Sequence, residues 1–284
     1  MLIARIVPAA RGWRWVSEGF ALFRRNPGVL ALMVVGYWFI LGAVNLVPVL
    51  GGVVATLLVP ALSVGVLTAC RTIDTRHTAL PHLLFAGLRQ RPGPLIALGG
   101  LNFLASLLVL SLVSLLDGGT LMRWMTTGVR PDPEELGGLA GAAQVGLAIY
   151  VPVFMAFWYA PQLVAWHGHS LGKALFFSFF ACLRNWRAFL VYGLSLILVG
   201  GVLPGLVVSL LPDQAGLAVL FSVPFLMAMA PIFFASFYLS YRDVFVEADD
   251  GQEAAEEQPP RPDAEAPRQE PEPGSGQDGP NAAP

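Results

Sequence analysis

Arginines recur within an eleven-residue phrase that the chain repeats three times. The phrase reads FALFRRNPGVL at residues 20–30, FAGLRQRPGPL at 85–95 and FACLRNWRAFL at 180–190. The six phrase arginines are Arg24, Arg25, Arg89, Arg91, Arg184 and Arg187. A guanidinium group forms paired hydrogen bonds with phosphate, so these six side chains are candidate phosphate contacts.

The motifs of common catalytic and nucleotide-binding sites are missing from the sequence. It contains no phosphate-binding loop, His-Glu-x-x-His or Gly-x-Ser-x-Gly segment, and no dinucleotide fingerprint between a predicted strand and a predicted helix. His167 and His169 form a close pair without an acidic or thiol neighbour in sequence, which favours an interfacial polar turn over a metal site. Cys70 and Cys182 are expected to be inert, reduced thiols. We therefore expect a protein that is not an enzyme and that uses no cofactor, metal or nucleic acid.

The composition is typical of a protein embedded in a membrane. Hydrophobic residues make up 55% of the 284 residues and charged residues 13%, about half the usual charged share of a soluble domain. Apolar runs of about 20 residues, long enough to cross a bilayer, lie at 28–48, 52–70, 95–116, 139–166, 188–211 and 215–241. The sequence predicts an all-α polytopic membrane protein with six transmembrane helices.

The distribution of basic residues predicts the orientation of these helices. If the N-terminus is cytoplasmic, fifteen Arg and Lys residues fall in inside segments, and Arg123 and Arg130 fall outside. Basic residues accumulate on the cytoplasmic side of membrane proteins. We therefore predict that both termini are cytoplasmic and that the phrase arginines lie level with the inner-leaflet phosphates.

The phrase also marks the start of a repeating unit, because a transmembrane run begins within a few residues of each copy. The predicted unit is a cytoplasmic amphipathic helix followed by a transmembrane hairpin. Three units cover about 1–74, 75–169 and 170–246. Each unit starts and ends in the cytoplasm, so the repeats are parallel.

Particular residues within the units carry further predictions. The first amphipathic helix should place on one membrane-facing side the residues spaced 3, 4 and 3, namely Trp13, Val16, Phe20 and Phe23. Prolines in the second half of each hairpin are candidate helix kinks, at Pro60, Pro161 and Pro231. Asp74 and Asp243 each follow an arginine closely and are predicted to form charge pairs at helix ends. Amides within the spans, including Asn45 and Gln162, should hydrogen-bond across helices.

Residues 247–284 form an acidic, proline-rich tail beyond the membrane domain of residues 1–246. The tail holds eleven Asp and Glu residues against two Arg, and alanine is its only aliphatic type. Such a segment cannot bury enough apolar surface to offset the entropy of ordering. We predict a disordered cytoplasmic tail that could recruit a protein partner.

The opening segment resembles that of one family. RGWRWVSEGFALFRRNPGVL, at residues 11–30, is similar to the start of uncharacterised integral inner-membrane proteins of Gram-negative bacteria. The residues that carry the resemblance are Gly12, Trp13, Trp15, Gly19, Phe20, Leu22, Phe23, Arg24, Arg25 and Pro27. More distantly, the alternation of interfacial helix and hairpin resembles the membrane domain of some glycerophosphodiester phosphodiesterases, whose catalytic barrel this chain lacks. The resemblance implies an inner-membrane location and leaves the activity open.

Three functional hypotheses follow from the sequence. The favoured one is a non-enzymatic inner-membrane protein that associates with lipids, with anionic lipids as candidates, or that organises a protein complex. A transporter or lipid-translocating protein is the alternative, supported by the parallel repeats and the prolines within spans. An intramembrane enzyme is the third and is disfavoured, because no catalytic cluster is present.

The predicted topology can be tested with reporter fusions. A reporter at residue 128 should be periplasmic, whereas reporters at residues 78, 177 and 260 should be cytoplasmic, because the arginine bias orients every hairpin the same way. A cytoplasmic signal from residue 128 would refute this topology.

Overall fold

The computed structural model describes residues 2–48, 50–209 and 214–247 of the chain, and these residues are mostly helical. The helices are α1 (Arg11–Arg25), α2 (Pro27–Asn45), α3 (Leu50–Asp74), α4 (Ala86–Gln90), α5 (Pro92–Leu116), α6 (Thr120–Thr127), α7 (Pro133–Trp158), α8 (Ala160–His167), α9 (Leu171–Arg184), α10 (Trp186–Ile197), α11 (Leu203–Ser209) and α12 (Gln214–Val244). A 3-10 helix covers Pro81–Phe85, and a π-helical segment covers Leu198–Val202. Residues 248–284 of the tail, which is predicted to be disordered, lie outside the described residues.

Five segments of the described chain are long and apolar enough to cross a membrane. They are Pro27–Asn45, Leu50–Asp74, Pro92–Leu116, Glu135–His167 and Trp186–Leu206. They coincide with the first five apolar runs, so the prediction of a helical, multi-pass membrane protein is confirmed. The sixth run, 215–241, lies within the helix α12, and its role as a span stays a prediction.

A short helical segment precedes three of these spans and is joined to each by one residue. Asn26 joins α1 to α2, Arg91 joins α4 to α5, and Asn185 joins α9 to α10. The carbonyl oxygen of each joining residue accepts from the amide four residues later, at 3.3, 3.2 and 3.1 Å respectively. Asn26 and Arg91 also share nearly the same backbone angles, (−151°, 70°) and (−145°, 57°). In both copies Pro-Gly follows, and proline is favoured at the first position of a helix.

The two ends of the described chain meet in a small sheet that the sequence did not predict. Strand β1 (Leu2–Ala4) pairs with strand β2 (Phe245–Glu247). The Arg5 amide continues the pairing by donating to the Val244 carbonyl at 2.9 Å. Three residues are too few to show a strand period, which explains why the pattern was invisible in the sequence.

Helix α1 packs against α10 and α12 through two glycines. A Cβ on Gly12 would lie 2.3 Å from the carbonyl oxygen of Ala188, and one on Gly19 would lie 2.8 Å from the amide nitrogen of Ser236. Distances this short leave no room for any side chain. Trp15, on the same side of α1, has no exposed surface.

The prediction of which side of α1 faces the membrane is therefore wrong in part. Val16 is buried in the protein beside Trp15, whereas Trp13 and Phe20 are 48% and 46% exposed. Hydrophobic spacing identifies an apolar stripe without saying whether lipid or protein covers it. Here Gly12 and Gly19 let the stripe that contains Trp15 and Val16 pack against the bundle, and the rings of Trp13 and Phe20 remain exposed.

The second pre-span segment is also held to the bundle by glycines. A Cβ on Gly65 would lie 1.9 Å from the Leu84 carbonyl oxygen, and one on Gly87 would lie 2.3 Å from the Ala61 carbonyl oxygen. The structure forms a 3-10 helix and the single-turn α4 here, instead of one continuous amphipathic helix. The prediction of a cytoplasmic amphipathic helix before this hairpin is therefore wrong for the second unit, whose pre-span segment instead packs its backbone closely against α3.

The three candidate kink prolines occupy different settings. Helices α3 and α12 continue through Pro60 and Pro231. Pro161 instead stands at the start of α8, directly after the break at Tyr159 that separates α8 from α7. At that break the Ser178 hydroxyl accepts from the Tyr159 amide at 2.9 Å and donates to the Met155 carbonyl at 2.7 Å. A side chain inserted into the helical hydrogen-bond ladder is a known cause of kinking.

Candidate functional site

A buried carboxylate, Asp243 at the end of α12, connects α1 to α12. Its side chain is 6% exposed. The Arg11 guanidinium donates to Asp243 Oδ2 through Nε at 2.7 Å and also through Nη2, and the Trp15 indole donates to the same oxygen at 3.0 Å. Arg5 donates to the Asp243 carbonyl oxygen. A buried charge is costly unless it is paired and hydrogen-bonded, and here these donors provide both.

Arg11 is held from a second side by Glu18 of the same helix. The two guanidinium nitrogens of Arg11 lie 3.0 and 3.1 Å from the Glu18 carboxylate oxygens. Burial by itself lowers the pKa of Arg11, but the hydrogen bond and charge of Asp243, together with Glu18, outweigh burial and raise it. Arg11 is therefore a permanent cation at this position.

A second carboxylate, Asp74 at the end of α3, joins α3 to α12 and α1. Arg242 Nη1 donates to Asp74 Oδ2 at 2.8 Å, and the Tyr238 hydroxyl donates to it at 3.1 Å. Arg25 Nη1 lies 3.6 Å from Asp74 Oδ1. The prediction of a local pair is therefore wrong for Asp74, whose described ion pairs are with Arg25 and Arg242. For Asp243 the neighbour Arg242 does pair at 3.4 Å, but Arg11 is the closer partner.

The ends of α3, α8 and α12 meet at one end of the bundle, which we call the polar end and define by Asp74, His167 and Asp243. His167 Nε2 lies 2.6 Å from the Tyr241 hydroxyl. The Trp166 indole donates to Thr68 at 3.3 Å. These contacts place the last turns of three helices at a common level, together with the α1–α2 junction through Arg25.

The structure places all six phrase arginines on the exposed surface. Their phenylalanine partners in the phrase are also exposed, with Phe20 at 46%, Phe85 at 39% and Phe180 at 41%. Arg24 lies over the Phe20 ring at 5.7 Å. The structure brings Arg25 to Asp74, and it brings Arg91 against the turn at Gly168, where an added Cβ would lie 2.6 Å from Arg91 Nη2. The others are not brought together into a single cluster by any described contact.

A basic cavity opens beside this end, with a volume of about 380 Å³. It is lined by Arg25, Asn26, Ile73, Arg76 and His77. The sequence singled out Arg25 alone among these residues. The signal for the other two basic residues was their position just after the end of the second span, α3.

A larger, apolar groove of about 740 Å³ lies among the helices. Its walls come from α1, α2, α3, α7, α10, α12 and the π-helical segment, and they include Tyr37, Trp38, Trp158, Gly200 and Phe233. A volume of this size is within the range of sites for small molecules, about 300–1,000 Å³. The π-helical turn at Leu198–Val202 is notable because such turns often mark functional sites.

The remaining polar groups do not assemble a metal site within the described residues. No group of three or more His, Cys, Asp or Glu side chains there could hold a metal ion. Both cysteines are buried, and burial raises the pKa of the Cys182 thiol. The predicted inter-helix bonds of the amides are not found in the described part: Asn45 bonds to Leu41 of its own helix, and the buried Gln162 amide has no partner there.

Comparison with known proteins identifies the family. The chain is 37% identical over 250 residues to a probable inner membrane protein of Burkholderia thailandensis, and the match covers 84% of this chain and 92% of that protein. The chain belongs to the same family of inner-membrane proteins. No protein-family model matches the sequence, and no solved structure matches it.

Membership of this family agrees with the sequence prediction of a multi-pass inner-membrane protein. The match covers most of the chain, so the similarity extends well beyond the opening segment of residues 11–30. The similarity to the membrane domain of glycerophosphodiester phosphodiesterases stays a prediction.

Proposed function

We propose that this inner-membrane protein is a non-enzymatic, lipid-associated protein whose three hairpins all open toward the cytoplasm. In this proposal α12 is the sixth span. The pairing of β1 with β2 supports an even number of spans, because it holds the two ends of the described chain on one side. The segment between Asp213 and Arg242 has no charged residue, as expected of a span.

The three-unit repeat gains support from the junctions that precede the spans. Asn26, Arg91 and Asn185 each end a pre-span segment and begin a span with the same backbone hydrogen bond. Each unit would then present one exposed phenylalanine and one exposed arginine at the same depth. The fifteen basic residues assigned to the inner side support a cytoplasmic location of this level.

Exposure of all six phrase arginines is the observation that carries the lipid proposal. An exposed arginine at the start of a span lies where the phosphates of the inner leaflet lie, and it can hold them through paired hydrogen bonds. The exposed phenylalanines beside them would anchor the same level in the apolar layer. A protein partner for the acidic tail is a separate part of the proposal, and it would make the protein an organiser as well as a lipid binder.

The test replaces one arginine per unit, as Arg24→Gln, Arg89→Gln and Arg184→Gln in one protein. Each charge near an anionic surface contributes about 1 kcal/mol, so the triple variant should hold anionic lipid roughly 100-fold more weakly. Native mass spectrometry of protein extracted from membranes would measure the bound lipid. Arg130→Gln, at an exposed arginine assigned to the opposite side, is the control and should retain it.

If the triple variant inserts normally and keeps the same anionic lipids as the parent, the phrase arginines only set orientation and the lipid proposal fails.

Lipid translocation is the second candidate, and the apolar groove favours it. A lipid chain that crosses a bilayer beside a protein needs an apolar surface among the spans, and the groove provides one beside a π-helical turn. Gly200 lines the groove, whereas its neighbour Gly201 does not. A Cβ at either glycine would meet no atom within 4 Å.

These adjacent glycines form a matched pair of test sites. Gly200→Leu should fill part of the groove and reduce lipid flux in reconstituted vesicles by about tenfold. The added leucine would displace a lipid segment of about its own size from the groove, and burial of that much apolar surface contributes about 1.5 kcal/mol to lipid binding. Gly201→Leu should leave the flux unchanged, because Gly201 does not line the groove. Equal flux in both variants and the parent, or no flux at all, would remove translocation from consideration.

A further inference from the structure

The basic cavity lies where two helix ends approach each other at the polar end of the bundle. Arg25 and Asn26 come from the α1–α2 junction, and Ile73 comes from the last turn of α3. Arg76 and His77 follow directly after α3. The cavity therefore depends on the fold, because residues about fifty positions apart in sequence form its opposite walls.

The charge on the cavity walls has one sign. Of the lining residues, Arg25 and Arg76 are cations, and none is a carboxylate. The nearest described carboxylate, Asp74, lies 3.6 Å from Arg25 and is itself shared with Arg242 at 2.8 Å. Arg242 has two further carboxylate partners, Glu18 at 3.8 Å and Asp243 at 3.4 Å. The excess of positive charge at the site therefore comes from Arg76, which has no ion pair among the described residues.

Arg76 adopts a backbone conformation that arginine does not favour. Its φ is +60°, and among the non-glycine residues that the structure describes it alone has a positive φ. The amide of Arg76 donates to the Ile73 carbonyl at 3.1 Å, and that of His77 donates to the Thr72 carbonyl at 3.0 Å. This pair of bonds is the Schellman termination of a helix, in which glycine usually takes the left-handed position.

An arginine at a glycine position lowers the stability of the fold by about 1 kcal/mol or more. Strained residues of this kind concentrate at functional sites. Glycine would satisfy the turn without strain, so the turn itself does not account for the arginine. Arg76 also lines the basic cavity, and a cation beside Arg25 there would account for an arginine at this position.

We propose that this cavity binds a phosphate group. Two guanidinium groups provide paired donors for phosphate oxygens, and the Asn26 and His77 side chains provide further polar atoms. The source of the phosphate is either the headgroup of an inner-leaflet lipid or a soluble phosphoester. The first source rests on the proposed function, because it requires the polar end to face the inner leaflet, whereas the second does not.

The test uses the full-length protein in detergent and in lipid vesicles, with Arg76→Gly as the central variant. Glycine relieves the backbone strain while it removes a cavity cation, so the variant should melt at a higher temperature and yet bind phosphate about tenfold more weakly. A structural arginine would show the opposite result, a loss of stability. Arg76→Asn is the second variant, because asparagine tolerates the left-handed region, and Arg130→Gln is the control.

Two probes separate the two sources. Phosphatidylglycerol vesicles compared with neutral phosphatidylcholine vesicles report on lipid headgroups, and inorganic phosphate with the detergent-solubilised protein reports on soluble phosphate. Weaker binding of the vesicles alone would assign the cavity to a headgroup, and weaker binding of inorganic phosphate would assign it to a soluble phosphoester. Binding by Arg76→Gly and Arg76→Asn equal to that of the parent with both probes would overturn the proposal.

These outcomes are distinct from failure of the lipid proposal. The variant of Arg24, Arg89 and Arg184 leaves every residue of the cavity wall in place. A triple variant that keeps its lipids while Arg76→Gly loses inorganic phosphate would refute the lipid role of Arg24, Arg89 and Arg184 and uphold the cavity.

Discussion

The buried carboxylate of Asp243 is the constraint on which the rest of the arrangement depends. A carboxylate at 6% exposure needs a cation and hydrogen-bond donors. Arg11 provides the cation and the neutral Trp15 indole a further donor, from a helix 228 to 232 residues earlier in the chain. Satisfying this charge fixes α1 on the end of α12. Once α1 is fixed, Arg5 reaches the same point and β1 can pair with β2.

Close backbone contacts then determine which residues remain outside. Gly12 and Gly19 let α1 approach α10 and α12, while Gly65 and Gly87 let the second pre-span segment approach α3. Small residues at helix contacts are the usual means of close packing in membrane proteins. Because these segments turn their glycine sides inward, the phrase phenylalanines and arginines of the first two units lie on the surface. The same packing that stabilises the fold thus presents the residues that we propose contact lipid.

Hydropathy alone predicted the five spans, since a run of about 20 apolar residues has few alternatives in a protein with so little charge. The pairing of Asp243 with Arg11 could not be predicted, because sequence spacing carries no information about contacts 232 residues apart. The adjacent arginine suggested a local pair instead. Likewise, the phrase identified Arg25 but not Arg76, whose importance lies in a left-handed backbone that only the structure displays. The sequence does not display the distance between elements in the first case, and it does not display the backbone conformation in the second.

A double-mutant cycle on Arg11 and Asp243, measured as the unfolding free energy of the purified protein, tests the central claim most directly. Arg11→Met and Asp243→Asn should each destabilise the protein by about 3–5 kcal/mol, because each leaves a buried partner unpaired. The double variant should then be little worse than either single variant, which corresponds to a coupling energy above about 2 kcal/mol. Simple addition of the two losses would contradict the account, because it would mean that the pair does not hold α1 to α12.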